Sequence, residues 1–212
     1  MTPRFLPVAD RALMVEFATT LDTAAHAAVL SLDRALAAAP FAGFAEAVPA
    51  FVTLLVAFDP LVADHAQAEA HLRALLSHAR PAKAAARTHT IPVTYDGPDL
   101  PEVAARTGQN VSDIAEIHQS GGYEVAMYGF APGYAYLSGL PVALGLDRKP
   151  SPVRDVPAGS VIIAGGQCLI TTLTMPTGWW IIGHSTARIL TDDPDHPFLF
   201  DVGDRIRFRA TP

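Results

Sequence analysis

The stretch from Tyr128 to Ser160 constrains this chain most. It reads Y-G-F-A-P-G-Y-A-Y-L-S-G-L-P, then a looser run, then R-K-P-S-P-V-R-D-V-P-A-G-S. Glycine permits turns and close backbone approach, and proline fixes φ. Aromatic side chains add broad, rigid contact surfaces. A long irregular segment of this composition reads as a shaped surface rather than a tether, and its aromatics argue against disorder. Arg148, Lys149 and Arg154 lie in the same stretch.

The rest of the chain must supply a scaffold for that surface, and composition allows one. Of 212 residues, 50% are hydrophobic and 17% charged, enough apolar material for a core. The formal net charge of -6 excludes the basic footprint of a nucleic-acid binder. One cysteine, Cys168, permits no internal disulfide and fits a reducing compartment. The opening M-T-P-R-F-L-P-V-A-D lacks an apolar signal-peptide core, and no run is apolar enough to span a bilayer. The expectation is a soluble, cytoplasmic protein that binds neither nucleic acid nor membrane.

Periodicity predicts two domains. Strands are expected at 4–8 and 12–17, and a helix over 22–39 with Asp22 as cap. A strand pair follows at 45–48 and 51–58, interrupted by Pro49. A second helix is expected to start at Asp59-Pro60 and to run to about His78, with Leu61, Ala68, Leu72, Leu75 and Leu76 inward. This ββαββα order gives an α+β domain over residues 1–80. The basic, low-complexity run A-R-P-A-K-A-A-A-R supplies a linker over 81–87. The second domain, 88–212, opens with a strand at 88–95. Short helices follow at 100–107, closed by Gly108, and at 111–119, where Asn110 and Asp113 have capping-box spacing. Strand candidates at 123–128, 160–163, 169–173, 179–182, 187–190 and 205–209, separated by Gly/Pro turns, predict a mainly-β barrel, closed or nearly so.

No phosphate loop, dinucleotide fingerprint, zinc-protease helix or nucleophile elbow occurs. The chemistry must lie elsewhere. Phe130, Tyr134 and Tyr136 could line a pocket shaped by Pro132 and Gly133, whose N–H could face an anion. The competing reading makes the aromatics barrel plugs and Pro-Gly a turn. His118 is either a satisfied core residue or a tuned acid/base. Arg154, between rigid prolines, could clamp an anion bidentately or staple a loop. Ser160 closes the same V-P-A-G-S segment. Gln167, after Gly165-Gly166, offers an amide donor and acceptor or simply begins a strand after a tight turn. Cys168 reads as a small buried hydrophobe. His184, Ser185 and Asp201 match triad residue types without a geometry. Asp192, Asp193, Asp195 and His196 form a cation-binding or a solvated turn. Arg205, Arg207 and Arg209 alternate along the last strand as a basic outer face.

G-F-A-P-G-Y-A-Y-L-S-G-L-P, P-S-P-V-R-D-V-P-A-G-S-V-I-I-A-G-G-Q, P-T-G-W-W-I-I-G-H-S and V-G-D-R-I-R-F closely resemble the subunit-1 type of the allophanate hydrolase/biotin-dependent carboxyltransferase family. That family includes the B-type subunit of 5-oxoprolinase and Kip-type kinase inhibitors. The resemblance spans nearly the whole chain. It implies a small α+β domain followed by a cyclophilin-like barrel, a cyclophilin-like subunit-2 partner, and a third lactamase subunit. It further implies ATP-dependent opening of 5-oxo-L-proline, with ATP and Mg shared with the partner. Related fused proteins transfer carboxyl groups to urea, and Kip-type members inhibit a histidine kinase. On this basis Arg154 is expected as anion clamp and His118 as support or acid/base. Phe130, Pro132, Gly133, Tyr134, Tyr136, Ser160 and Gln167 are expected around the lactam or amide. His184 stands where arginine is common in the family, on the expected pocket rim.

Overall fold

A computed structural model describes residues 2–78 and 86–211. The chain divides into two compact units, with the division between residues 85 and 86. The expected linker falls mostly on residues outside the described ones. Its last member, Arg87, is tied into the second unit through ion pairs with Asp201 and Asp204.

The first unit follows the ββαββα order: β1 (Arg4–Val8), β2 (Ala12–Glu16), α1 (Thr23–Ala38), β3 (Phe44–Pro49), β4 (Thr53–Phe58) and α2 (His65–His78). The strands form an antiparallel sheet in the order β1-β2-β4-β3. Alternation along the central strands buries Leu13 and Val15, then Leu54, Val56 and Phe58, against Val29, Leu32 and Leu36 of α1 and Leu72 of α2. Pro49 does not interrupt β3. That strand lies at the sheet edge, where a missing N–H breaks no ladder bond. Asp22 caps α1 as expected, accepting from the Ala25 N–H at 2.6 Å.

Asp59-Pro60 does not start α2. The Asp59 carboxylate instead accepts from Leu61 N–H at 2.9 Å in a local turn, and Leu61 is 94% exposed rather than inward. The helix begins further on, at His65, behind a reciprocal cap. Gln67 N–H donates to Asp64 Oδ1 at 2.8 Å, and Asp64 N–H donates to Gln67 Oε1 at 2.9 Å.

The second unit contains β5 (Thr88–Val93), α3 (Leu100–Thr107), α4 (Val111–Gln119), β6 (Tyr123–Tyr128), β7 (Ala135–Ser138), β8 (Val153–Val156), β9 (Ser160–Ala164), β10 (Gln167–Ile170), β11 (Met175–Thr177), β12 (Trp180–His184) and β13 (Arg205–Ala210). Seven strands form one sheet in the order β12-β9-β10-β7-β6-β13-β5, with β13 and β5 parallel and the other pairs antiparallel. Its two ends meet. Thr94 and His184 exchange N–H···O bonds of 2.9 Å in both directions, and Gly97 N–H reaches Ile182 O at 3.3 Å. The result is a nearly closed barrel. Closure needs glycine, because a Cβ at Gly183 would lie 2.3 Å from Thr94 O and one at Gly97 2.3 Å from Ile181 O.

Inside the barrel lie Ile91, Val125, Leu137, Val161, Ile163, Cys168 and Ile182, covered by α3 and α4. A separate two-stranded ribbon, β8 with β11, covers the outer face of β9, β10 and β12. It buries Val156, Ile162, Leu169 and Trp179 in a second cluster. That is why all five residues of β9 are buried.

The stretch 128–160, read from sequence as irregular, contains β7 and β8. The segment 187–190 is not a strand; it makes an isolated bridge between Leu190 and Phe198. Asn110 and Asp113 do not form a capping box. Their side chains bond each other at 2.8 Å, which leaves neither for the backbone.

Candidate functional site

Where the β8–β11 ribbon meets the 128–136 loop, a cavity of about 320 Å³ opens. Phe130, Tyr134, Tyr136 and Trp179 wall it, Pro152 and Pro176 stiffen its rim, and Arg148 and Lys149 supply charge. The rings form a continuous chain. Centroids are 5.5 Å apart from Phe130 to Tyr134, 5.8 Å to Tyr136 and 5.9 Å to Trp179, at angles typical of edge contacts. The Arg148 guanidinium carbon stands 5.8 Å from the Trp179 ring, within cation–π range. Lys149 is paired with Asp99. Among the described residues, Arg148 has no carboxylate partner.

Electrostatics keep both phenols protonated. Burial raises Tyr134 to about 12 and raises Tyr136 as well, while Arg148 opposes both shifts. At neutral pH the cavity therefore offers O–H donors beside a guanidinium on an aromatic wall. That combination suits a small flat molecule carrying one negative group.

The wall is built by a strained loop. Phe130 has φ +70°, rare for a residue with a side chain, and its ring is 75% exposed at the lip of the cavity. Gly129 N–H donates to Tyr134 O at 3.2 Å, and Tyr134 N–H to Ala131 O at 3.1 Å. Pro132 and Gly133 shape the loop without lining the cavity. Pro132 O accepts from Thr172 Oγ1 at 2.7 Å, and Gly133, at φ +68°, leaves no room for a Cβ against Leu190.

The remaining expected site residues are not brought together. Arg154 lies exposed on β8 and does not line the cavity, whereas Pro152, just before the strand, does. Gln167 opens β10, and its backbone is laddered to Ala164 and Ser138. Ser160 is buried, with its hydroxyl donating to Pro157 O at 2.8 Å. His118 sits in the barrel core at 0% exposure. Its Nδ1 meets Tyr95 Oη at 2.8 Å and its Nε2 meets Cys168 Sγ at 3.3 Å. Burial lowers its pKa to about 3 and pushes the Cys168 thiol well up, so both are neutral at physiological pH.

No triad forms either. His184 Nδ1 faces Asp96 at 2.8 Å, while Asp201 pairs with Arg87. The Asp193–His196 turn bonds to itself, and among the described residues no group of three or more metal-binding side chains gathers.

Sequence reasoning missed Trp179 and placed the cavity's charge on Arg154 instead of Arg148. The usable signal was the pairing of two tandems. Adjacent residues of extended chain face opposite sides, so Trp179-Trp180 puts one indole on each face of the sheet. Trp180 belongs to the barrel core and Trp179 to the outer cluster. Arg148 likewise stands by Trp179 and Lys149 by Trp180, with Lys149 also bordering the cavity.

The model of the carboxyltransferase domain, subdomain C and D, matches residues 3–200. The chain belongs to that family. This carboxyltransferase-domain chain is 32% identical over 216 residues to the B-type subunit of 5-oxoprolinase from Bacillus subtilis (strain 168), covering 94% of itself and 89% of that protein. It is 42% identical over 121 residues to the protein of the same name from Escherichia coli O157:H7, covering 56% of each. Among solved structures it is similar to TTHA0988, with a TM-score of 0.85 and 37% identity over 95% of this chain. It spans only 40% of the length of TTHA0988. The Kluyveromyces lactis urea amidolyase shares the fold, with a TM-score of 0.77 at 16% identity, over 99% of this chain and 15% of that one.

Proposed function

We propose that this chain is the B-type subunit of a 5-oxoprolinase, a hetero-oligomeric, ATP-dependent hydrolase that opens a cyclic amide. The observation that carries the reading is the aromatic cavity with an unpaired guanidinium and two protonated phenols. A five-membered lactam acid is flat, apolar on its ring faces, and carries one carboxylate. Trp179 and Tyr136 offer surfaces for the ring, Arg148 takes the carboxylate, and the Tyr134 and Tyr136 hydroxyls donate to the lactam oxygen. The names of the bacterial relatives point the same way. The chain's part is binding and orientation, which lower a barrier by fixing geometry before reaction.

The residues of this chain do not fit a Mg-nucleotide by themselves. The sequence has no phosphate loop, and the described residues hold no cluster of metal ligands. We propose that ATP and Mg are shared with the partner, a cyclophilin-like subunit 2, joined by a third, lactamase subunit. We read the barrel as cyclophilin-like and the assembly as cytoplasmic, in keeping with a single buried thiol. An open cavity with an exposed Phe130 at its lip fits a site completed by another polypeptide.

The test is co-expression with the product of the neighbouring subunit genes, followed by assay of glutamate release from 5-oxoproline with and without ATP. ATP-dependent release by the assembled complex is expected. An assembled complex that releases none overturns the proposal. The family's description favours one alternative, carboxyl transfer, with a urea-like amide as the acceptor we would test. Capture of a biotinylated carrier protein would mark that case, since this chain has no attachment motif of its own.

A further inference from the structure

Asp99 heads α3 yet does not cap it; its side chain bonds none of the helix's own N–H groups. Asp22 and Asp64, at the heads of α1 and α2, both do cap. The Asp99 carboxylate is turned outward instead. It accepts from Ile181 N–H at 2.6 Å and pairs with Lys149, whose side chain is only 9% exposed. A cap is a favourable use of an aspartate, so this departure asks for a reason.

The 147–149 segment supplies one. Asp147 O accepts from Trp180 Nε1 at 2.7 Å, and Lys149 N–H donates to Gly178 O at 2.7 Å. Lys149 Nζ lies 5.4 Å from the Trp180 ring, which Arg106 also approaches at 5.1 Å. The segment is thus held at 147 and 149, and although Lys149 also borders the cavity, its ammonium is taken up by Asp99 near Trp180. The residue between the two anchors, Arg148, stands beside Trp179 in the cavity.

We propose that Asp99 is a positioning residue for the anion-binding end of the cavity: by holding Lys149 it fixes the segment that places the Arg148 guanidinium over Trp179. The inference rests on the reading that Arg148 takes the substrate's carboxylate. Asp99 itself touches no substrate. Its effect passes through Lys149 to Arg148, and a purely structural ion pair would lack that dependence.

The experiment compares wild type, Asp99→Asn, Arg148→Gln and the double variant in the chain assembled with its partner subunits, measuring KM and kcat for 5-oxoproline. Each single variant is expected to raise KM about tenfold or more with kcat little changed. The double variant should be no worse than Arg148→Gln alone, because the two residues act in series. Additive losses, or an unchanged KM in Asp99→Asn, overturn the proposal. Should Asp99→Asn fail to assemble, Lys149→Met removes the buried charge while keeping the stem. Because Lys149 also borders the cavity, only the outcome of an unchanged KM is decisive there, and it overturns the proposal. A crystal structure of either variant decides the point without turnover: Arg148 displaced from Trp179 supports positioning, and Arg148 in place sinks it. A wild-type complex that does not turn over 5-oxoproline overturns the proposed function, while the crystal structure still decides the role of Asp99.

Discussion

Arg148 and Arg154 lie close in sequence and differ in almost everything else. One is a guanidinium without a carboxylate partner on an aromatic wall; the other is an exposed residue of a ribbon strand. Arg148→Ala should therefore raise KM for 5-oxoproline in the assembled complex by about tenfold or more, the usual worth of a charge-assisted contact. Arg154→Ala should change it by less than about twofold. Steady-state kinetics of the pair decides between them. His118 allows a prediction of a different kind. Its pKa is held near 3 by burial, against 6.5 unperturbed. Between those values the unfolded chain binds a proton that the native core refuses. Stability should thus fall as pH drops through 6.5 toward 3, by up to about 1.4 kcal/mol per pH unit. His118→Gln should flatten that slope in urea titrations at several pH values, at a cost at neutral pH of roughly 1–3 kcal/mol for the disturbed Tyr95–His118–Cys168 contacts.

Elements were more legible than residues, for physical reasons. Long amphipathic patterns such as α1 and β4 announce themselves, because burial on one face demands period 3.6 or 2. Signals confined to two or three residues were ambiguous. Asp59-Pro60 and Asp64-x-x-Gln67 both look like helix starts, and the second wins because it satisfies two backbone N–H groups at once. Asp64→Ala should cost about 1 kcal/mol, and Asp59→Ala less than about 0.5, in thermal or urea unfolding. β7 and β8 were hidden by the prolines and glycines around them, and the 187–190 alternation pairs only with the nearby 197–199 segment, through an isolated bridge, rather than joining the sheet. A nearly closed barrel was expected from the strand pattern, but the place of closure was not, because it depends on two glycines at contacting backbones, Gly97 and Gly183. Gly183→Ala should destabilise by about 2 kcal/mol or more and speed amide exchange at Thr94 and His184, since the new methyl group would occupy the place of Thr94 O.

At the scale of the molecule, the aromatic cavity lies wholly within residues 86–212, which hold their own two apolar clusters. A fragment of those residues should fold cooperatively, with near-ultraviolet dichroism like that of its counterpart in the full chain. The sequence revealed the cavity's aromatic wall, because Phe130, Tyr134 and Tyr136 are packed into one short segment. The charge of the cavity comes from residues 148–149, whose meeting with residues 176–179 is a product of tertiary structure, hinted at in sequence only by the two tandems. The two indoles of this chain have a practical consequence. They are the only tryptophans, both are buried, and they occupy unlike surroundings, one in the outer cluster against the aromatic cavity beside Arg148 and one in the barrel interior beside a buried lysine. Intrinsic fluorescence therefore comes with two separable channels. Trp180→Phe leaves an emitter at the cavity wall that should respond to ligand titration, and Trp179→Phe leaves one that should stay silent to ligand until the barrel melts.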